Sequence, residues 1–231
     1  MITLDIFADP VCPWCLIGKA RLDRALEARP EHGIVLAWHP FQLNPTMPPE
    51  GMGRDAYLAA KFGRETLAKR QLPVLEAAAE SGITLNLAAI DWMPNTVNAL
   101  RLLHWAGVEG CQTRVMSALM RAFWHEGRNI GDLEVLTEIG ANSGLDRALI
   151  ARLLASDADR DTVLAHDAHA RERGVRAMPT FILGEQHVIE GAQSPEFWLS
   201  VIDELADLAR ARAAEAGPDT EAADPAWQAQ G

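Results

Sequence analysis

Two cysteines stand three positions apart in "DPVCPWCLIG", Cys12 and Cys15, near the start of a 231-residue chain whose one other cysteine is Cys111. Such a pair can clip a metal, staple a loop or exchange electrons with other thiols. A tetrahedral zinc site needs four ligands and the pair supplies two. No second Cys-x-x-Cys follows, and the seven histidines offer no ligand pair near a turn, so no metal is expected. A purely structural disulfide closing so small a loop gains little chain entropy. The third chemistry, a redox dithiol, is the one the spacing favours.

The neighbouring residues give that chemistry a mechanism. With Cys12 at the N-cap of a helix, Pro13 falls at the first helical position, where a missing N–H costs nothing. Trp14 and Cys15 then take the second and third positions. An N-cap side chain accepts from the free amides of the first turn, and the positive end of the helix dipole adds to them, which favours a thiolate at Cys12. Cys15 lies one turn inward and gains less. The roles follow: Cys12 is the exposed nucleophile, Cys15 the resolving thiol. Residues three apart share a helix face, close enough for a disulfide to form between them.

The elements that must position the pair are legible on either side. "ITLDIFA" alternates with period two and predicts a strand, after which Leu16, Leu22, Ala25 and Leu26 follow helical spacing until Pro30 and Gly33. "IVLAWHPFQL" is a second strand candidate, completing a strand–helix–strand unit. The stretch from 54 to 174 reads as helical: "ETLAKRQLPVLEAAAESG" with Pro73 as a kink, "NTVNALRLLHWAG" capped by Asn95, "QTRVMSALMRAFWHEG", then "DLEVLTEIGANSG", "DRALIARLL" and "DRDTVLAHDAHARERG". Strand signals return in "MPTFIL" and "QHVIE", joined by Gly184-Glu185 as a type II′ hairpin. Ser194, Pro195 and Glu196 then open a final helix. The expected fold class is α/β, a discontinuous strand-and-helix domain from 1–50 and 175–213 interrupted by an all-helical insertion at 51–174, which the family resemblance given below implies to be thioredoxin-like. Residues 214–231, rich in Ala, Pro, Asp and Glu, read as a flexible tail.

Composition limits the partners. With 32 acidic against 21 basic residues and a formal charge of -11, the chain lacks the positive footprint that nucleic acid requires. No stretch approaches the length of apolar sequence that crosses a bilayer, and "MITLDIFADP" has no basic start or apolar run, so a soluble cytoplasmic protein is expected. In that compartment a close cysteine pair reads as catalytic or metal-binding.

"DPVCPWCLIGKARLDRAL", "FQLNP", "PNTVNALRL" and "GVRAMPTFILGEQHVIEGAQ" occur in this order, and with them the chain resembles the DsbA-family thioredoxin-like oxidoreductases of the FrnE type over all but its tail. The resemblance implies a thioredoxin fold split by a helical domain. It implies that Pro179 is a cis-proline facing the disulfide across the sheet, and that Met178 offers its backbone to an extended substrate segment. It implies thiol–disulfide oxidoreductase activity on protein or low-molecular-weight thiols and disulfides. No cofactor beyond the dithiol is expected, with glutathione as an eventual co-substrate and thioredoxin or glutathione as the class of electron donor. Leu100 stands where relatives carry a histidine, and Met178 is larger than the residue usual before that proline. The related 2-hydroxychromene-2-carboxylate isomerases and kappa-class glutathione transferases carry serine at the position of Cys12, which makes a glutathione-dependent isomerase or transferase the rival reading. A chaperone-like binding module with idle cysteines is the third.

The remaining candidates have plainer readings. Trp14, at the helix tip, is expected to be partly exposed and to meet substrate. Trp38, His39 and Phe41 read as packing under the sheet, His166 and His169 as a solvated helix face, His104 as a half-buried rim residue, Cys111 as a small hydrophobe and Asn95 with Thr96 as a cap.

Overall fold

A computed structural model describes residues 1–63 and 66–216. The chain runs β1 (Ile2–Ala8), α1 (Pro13–Glu27), β2 (Ile34–Pro40), β3 (Met52–Gly53), α2 (Arg54–Phe62), α3 (Leu67–Glu80), β4 (Trp92–Met93), α4 (Val97–Val108), α5 (Gln112–Trp124), α6 (Leu133–Asn142), α7 (Arg147–Leu154), α8 (Arg160–Glu172), β5 (Thr180–Leu183), β6 (His187–Glu190) and α9 (Pro195–Ala216). The main sheet has the order β2-β1-β5-β6. β1 runs parallel to β2, in register from Ile2 opposite Ile34 to Ala8 opposite Pro40, and antiparallel to β5.

The period-two pattern of β1 has the consequence expected of it: Leu4, Ile6 and Ala8 are buried, while Thr3 is exposed and Asp5 and Phe7 are half-buried. α1 and α9 pack against each other. α4, α5 and α8 pack against β2. One hydrophobic core extends from Leu4, Ile6 and Phe181 in the sheet to Leu102, Leu119 and Leu136 in the helices.

β2 is an edge strand, and its free rim is occupied by a side chain. The Gln112 carbonyl accepts from the Trp38 N–H at 3.0 Å, and the Gln112 amide donates to the Trp38 carbonyl at 2.9 Å. The Trp38 indole donates to Thr113 Oγ1 at 2.9 Å, which seats the start of α5 on the strand.

Four details differ from the sequence reading. The N-cap of α4 is Thr96 rather than Asn95; the Asn95 side chain still serves the helix, accepting from the Val97 N–H at 3.0 Å. The Gly184-Glu185 turn has positive φ at both residues, the sign pattern of type I′ rather than II′, so a non-glycine takes up a left-handed conformation. α9 continues through Ala216, because nothing in "AAEA" breaks a helix, and so takes in the first three residues expected to form a tail. The rest of that segment lies outside the described residues. The two-residue strands β3 and β4 were not expected at all, being too short to show any alternation. Ser194 caps α9 as expected, its hydroxyl accepting from the Phe197 N–H at 3.2 Å.

Candidate active site

The turn from β1 into α1 brings the cysteines together. Cys12 is the N-cap of α1, extended at φ -85° and ψ 119°, with Pro13 at the first helical position. The two thiols are free and neighbour one another, and both are buried. Burial pushes the Cys15 thiol well above its ordinary value, and the neighbouring Cys12 adds to that. Cys15 is therefore a thiol that resists ionisation.

Two expectations about Cys12 need correction. Its side chain accepts no capping hydrogen bond. Pro13 has no N–H to give, and the Cys15 and Leu16 amides donate instead to the Cys12 backbone carbonyl, at 3.1 and 3.3 Å. Nor is Cys12 exposed: only 2% of the residue is accessible. Phe123 and Trp124 at the end of α5, with α2 and α3, close over the tip of α1 and leave a cavity of about 510 Å³ that has Cys12, Pro13 and Trp14 in its wall. The Trp124 indole donates to the Pro10 carbonyl at 2.9 Å, latching this wall to the cysteine loop.

Trp14 is half-buried, as its place at the helix tip leads one to expect. Met178 and Pro179 do not line the cavity. The Met178–Pro179 peptide bond is cis, and the proline ring lies against Gly18, where an added Cβ would stand 2.9 Å from its Cγ. Pro179 thus packs on α1 one turn beyond Cys15. The backbone of Met178 forms no hydrogen bond among the described residues, while its side chain packs with Phe41 and Val175. Leu100 is fully buried in the core, so the helix face where relatives place an imidazole is apolar here.

Trp38 and Phe41 are buried, as expected of residues packed against the sheet. His39 stacks on Phe7 at 4.9 Å between ring centroids and lies 2.7 Å from Asp5 Oδ1. The His166 ring meets the edge of half-buried His104 at 6.0 Å, and no group of side chains that could hold a metal is found among the described residues. Cys111 is buried at the start of α5.

Sequence reasoning missed Asp9. It is fully buried three residues before Cys12, and its carboxylate ties three segments together. Oδ1 accepts from the Val11 N–H at 3.0 Å, and Oδ2 accepts from the Leu43 N–H at 2.8 Å and from Thr96 Oγ1 at 2.9 Å. The "FQLNP" loop and the start of α4 are thereby fixed to the cysteine turn. The signal was available only as a buried acid's need for donors, which no local spacing reveals.

Burial pushes the Asp9 carboxyl up to about 6 from its ordinary 3.8, although its three donors favour the ionised form. A raised carboxyl means that the folded protein holds the proton more tightly than the unfolded chain. Its contribution to stability is complete below the unfolded value near pH 4 and is lost as pH rises through about 6. Relative to wild type, Asp9→Asn should therefore gain on the order of 3 kcal/mol between pH 4 and 7, on top of a constant loss from the donor left facing its amide. Urea unfolding of both proteins across that range measures it; a constant difference between the two would show that Asp9 does not titrate in this window.

Comparison with known proteins agrees with this architecture. A model of the DsbA-like thioredoxin domain matches residues 3–203. The uncharacterized protein YwbO of Bacillus subtilis is 26% identical over 204 residues, covering 88% of this chain and 96% of its own. The crystal structure of a probable DsbA oxidoreductase from Streptomyces coelicolor superposes with a TM-score of 0.77 at 27% identity, covering 88% of this chain and 89% of the other. The cytosolic disulfide reductase DsbM of Pseudomonas aeruginosa, solved with GSH, shares the fold at a TM-score of 0.65 and 20% identity, covering 89% and 99%. A 2-hydroxychromene-2-carboxylate isomerase shares it at 0.66 and 19%, covering 92% and 98%. A split sheet that presents a cysteine pair at the tip of α1, matched from residue 3 to 203, makes this chain a member of the DsbA-like thioredoxin domain family.

Proposed function

We propose that the protein is a thiol–disulfide oxidoreductase whose working group is the Cys12–Cys15 dithiol, acting on protein or low-molecular-weight thiols and disulfides. The observation that carries the reading is the pair of free, neighbouring thiols at the start of α1, one of them in a cavity wall and the other held protonated by burial. In the reducing direction the Cys12 thiolate attacks one sulfur of a substrate disulfide. The S–S bond breaks, one substrate thiolate leaves, and a mixed disulfide remains on Cys12. Cys15, on losing its proton, attacks the Cys12 sulfur; the second substrate thiolate leaves and a Cys12–Cys15 disulfide forms. Two electrons pass from the protein to the substrate. Run backwards, the same steps oxidise a substrate dithiol, and the direction depends on reduction potential against the compartment.

Met178 and Pro179 are proposed to bind the backbone of an extended substrate, a role supported by the unengaged backbone of Met178. Trp14 would meet substrate at the cavity wall. Thioredoxin or glutathione is the proposed class of electron donor, and the cytoplasm the proposed compartment; no described helix is long and apolar enough to cross a membrane.

Cys15→Ser tests the assignment. It leaves the attack by Cys12 intact and removes resolution, so a mixed disulfide should accumulate on Cys12, visible as a non-reducing adduct by mass spectrometry, while turnover with a dithiol donor falls at least a hundredfold. Undiminished turnover would show that the second cysteine takes no part, as in a glutathione-dependent isomerase.

A further inference from the structure

The wall of the cavity is sorted by charge. Apart from Gln71, its lining away from the basic residues is aliphatic or aromatic in character, with Leu43, Leu58, Phe62, Val74, Ile90 and Phe123 prominent. Four lining residues are charged, Arg54, Lys61, Lys69 and Arg70, and all four are basic, in a chain where acids outnumber bases 32 to 21. None of the four forms an ion pair among the described residues. Lys61 is held by neutral partners instead, donating to Asn44 Oδ1 at 2.6 Å and to the Tyr57 hydroxyl at 2.8 Å. Among the described residues no carboxylate pairs with its charge. The volume, about 510 Å³, falls in the range that encloses a small organic ligand rather than a folded protein surface.

From this juxtaposition of Cys12 with an apolar chamber whose charged lining residues are all basic, we propose that the substrate is a low-molecular-weight disulfide, or its thiol, with an apolar body and an acidic group. This deepens the oxidoreductase reading and rests on it. The body fills the chamber between α2, α3 and the end of α5, the acidic group meets the basic residues of α2 and α3, and the sulfur reaches Cys12. Reduction proceeds by two thiolate attacks. Cys12 displaces one half of the disulfide; Cys15, its proton passing to solvent, displaces the other. The protein dithiol becomes a disulfide and the ligand two thiolates, with no outside reductant in a single turnover.

The test is a single turnover of reduced, desalted full-length protein in stopped flow. Three probes separate the two features: dithiobis(nitrobenzoate), aromatic and anionic; dithiodipyridine, aromatic and neutral; and dithiodipropionate, anionic with little apolar body. Each rate is divided by that of dithiothreitol with the same probe, which removes the probe's intrinsic reactivity. The nitrobenzoate should exceed both others by about tenfold, a preference worth about 1.4 kcal/mol. Its advantage over dithiodipyridine should shrink as ionic strength rises. In the Arg54→Gln/Lys61→Gln variant that advantage should fall by roughly fivefold, the size expected of two half-exposed charge contacts. Because the salt titration uses the wild-type protein, the outcome does not depend on the variant folding. Equal normalised rates for the three probes, insensitive to salt, would overturn the proposal, as would a faster normalised reaction with the disulfides of insulin. These results leave the redox reading standing, since a Cys12–Cys15 disulfide still forms. If none of the probes produces that disulfide, the redox reading falls and the substrate class falls with it.

Discussion

Replacing Cys12 with serine should lower the rate of disulfide reduction by on the order of a thousandfold or more, since a hydroxyl is not appreciably ionised at neutral pH and is a poor attacking group. The size of the loss depends on whether another thiol can take over. Cys15 cannot: burial and, in the wild type, its partner thiol raise it well above the ordinary range, and it is absent from the wall of the cavity. Cys111 cannot either, since burial raises its thiol too and it packs at the start of α5, in the core. The variant should fold as the wild type does, because serine fits the space and Cys12 supplies no capping bond that would be lost. Insulin reduction and the rate of iodoacetamide labelling at mildly acidic pH would measure it. A serine variant keeping a tenth of the wild-type rate would show that the attacking atom lies elsewhere.

The largest effect on stability is expected at Arg101, which is 1% accessible. Its guanidinium donates to the Ala158 carbonyl at 2.7 Å, to the Leu153 and Ser156 carbonyls at 2.8 Å each, and to Asn98 Oδ1 at 2.9 Å. It also lies over the Trp105 ring, 5.0 Å from the centroid. One side chain therefore satisfies the carbonyls at the end of α7 and in the turn before α8, and holds them to α4. Arg101→Met keeps most of the stem and removes every guanidinium donor, taking from the Ser156 and Ala158 carbonyls their side-chain partner, while the Leu153 carbonyl keeps the Ser156 N–H and hydroxyl. The cost should be about 4 kcal/mol. For a domain of this size that lowers Tm by roughly 10 °C or more, readable by circular dichroism. Arg101→Lys should recover only a part, because an ammonium cannot reproduce the planar fork that reaches carbonyls on both sides. Cysteine reactivity below the transition should be unchanged, since none of these groups lines the cavity. A melting temperature within a few degrees of wild type would mean that water takes over those carbonyls.

How legible the molecule is from its sequence varies with the range of the interaction. β1, α1 and the Ser194–Pro195 start of α9 are encoded by neighbours: period-two burial, a proline at the first turn, a hydroxyl at the cap. The cysteine pair is legible for the same reason, since three positions on one helix fix the approach of two thiols. α2 escaped as an individual element because nine residues after a run of prolines and glycines give little periodicity to detect. What covers Cys12 was hidden because it comes from α5, more than a hundred residues along the chain, so the residue reads as open in sequence and is enclosed in the fold. Asp9 was hidden for a like reason: its donors come from Val11, Leu43 and Thr96. The basic lining, gathered from residues 54 to 70, is diluted in a chain that is acidic as a whole.

The amide of Gln112 on the rim of β2 bears on how the chain behaves when crowded. A bare strand invites a neighbouring molecule to continue the sheet, and sheets that continue become fibrils. By imitating one residue of an adjoining strand, the glutamine occupies both backbone groups of Trp38 and ends the ladder there. At the opposite margin β6 is only four residues long and carries a histidine and a glutamate at its two ends. Growth of the sheet into a polymer is thus discouraged on both flanks, by mimicry on one and by brevity and charge on the other.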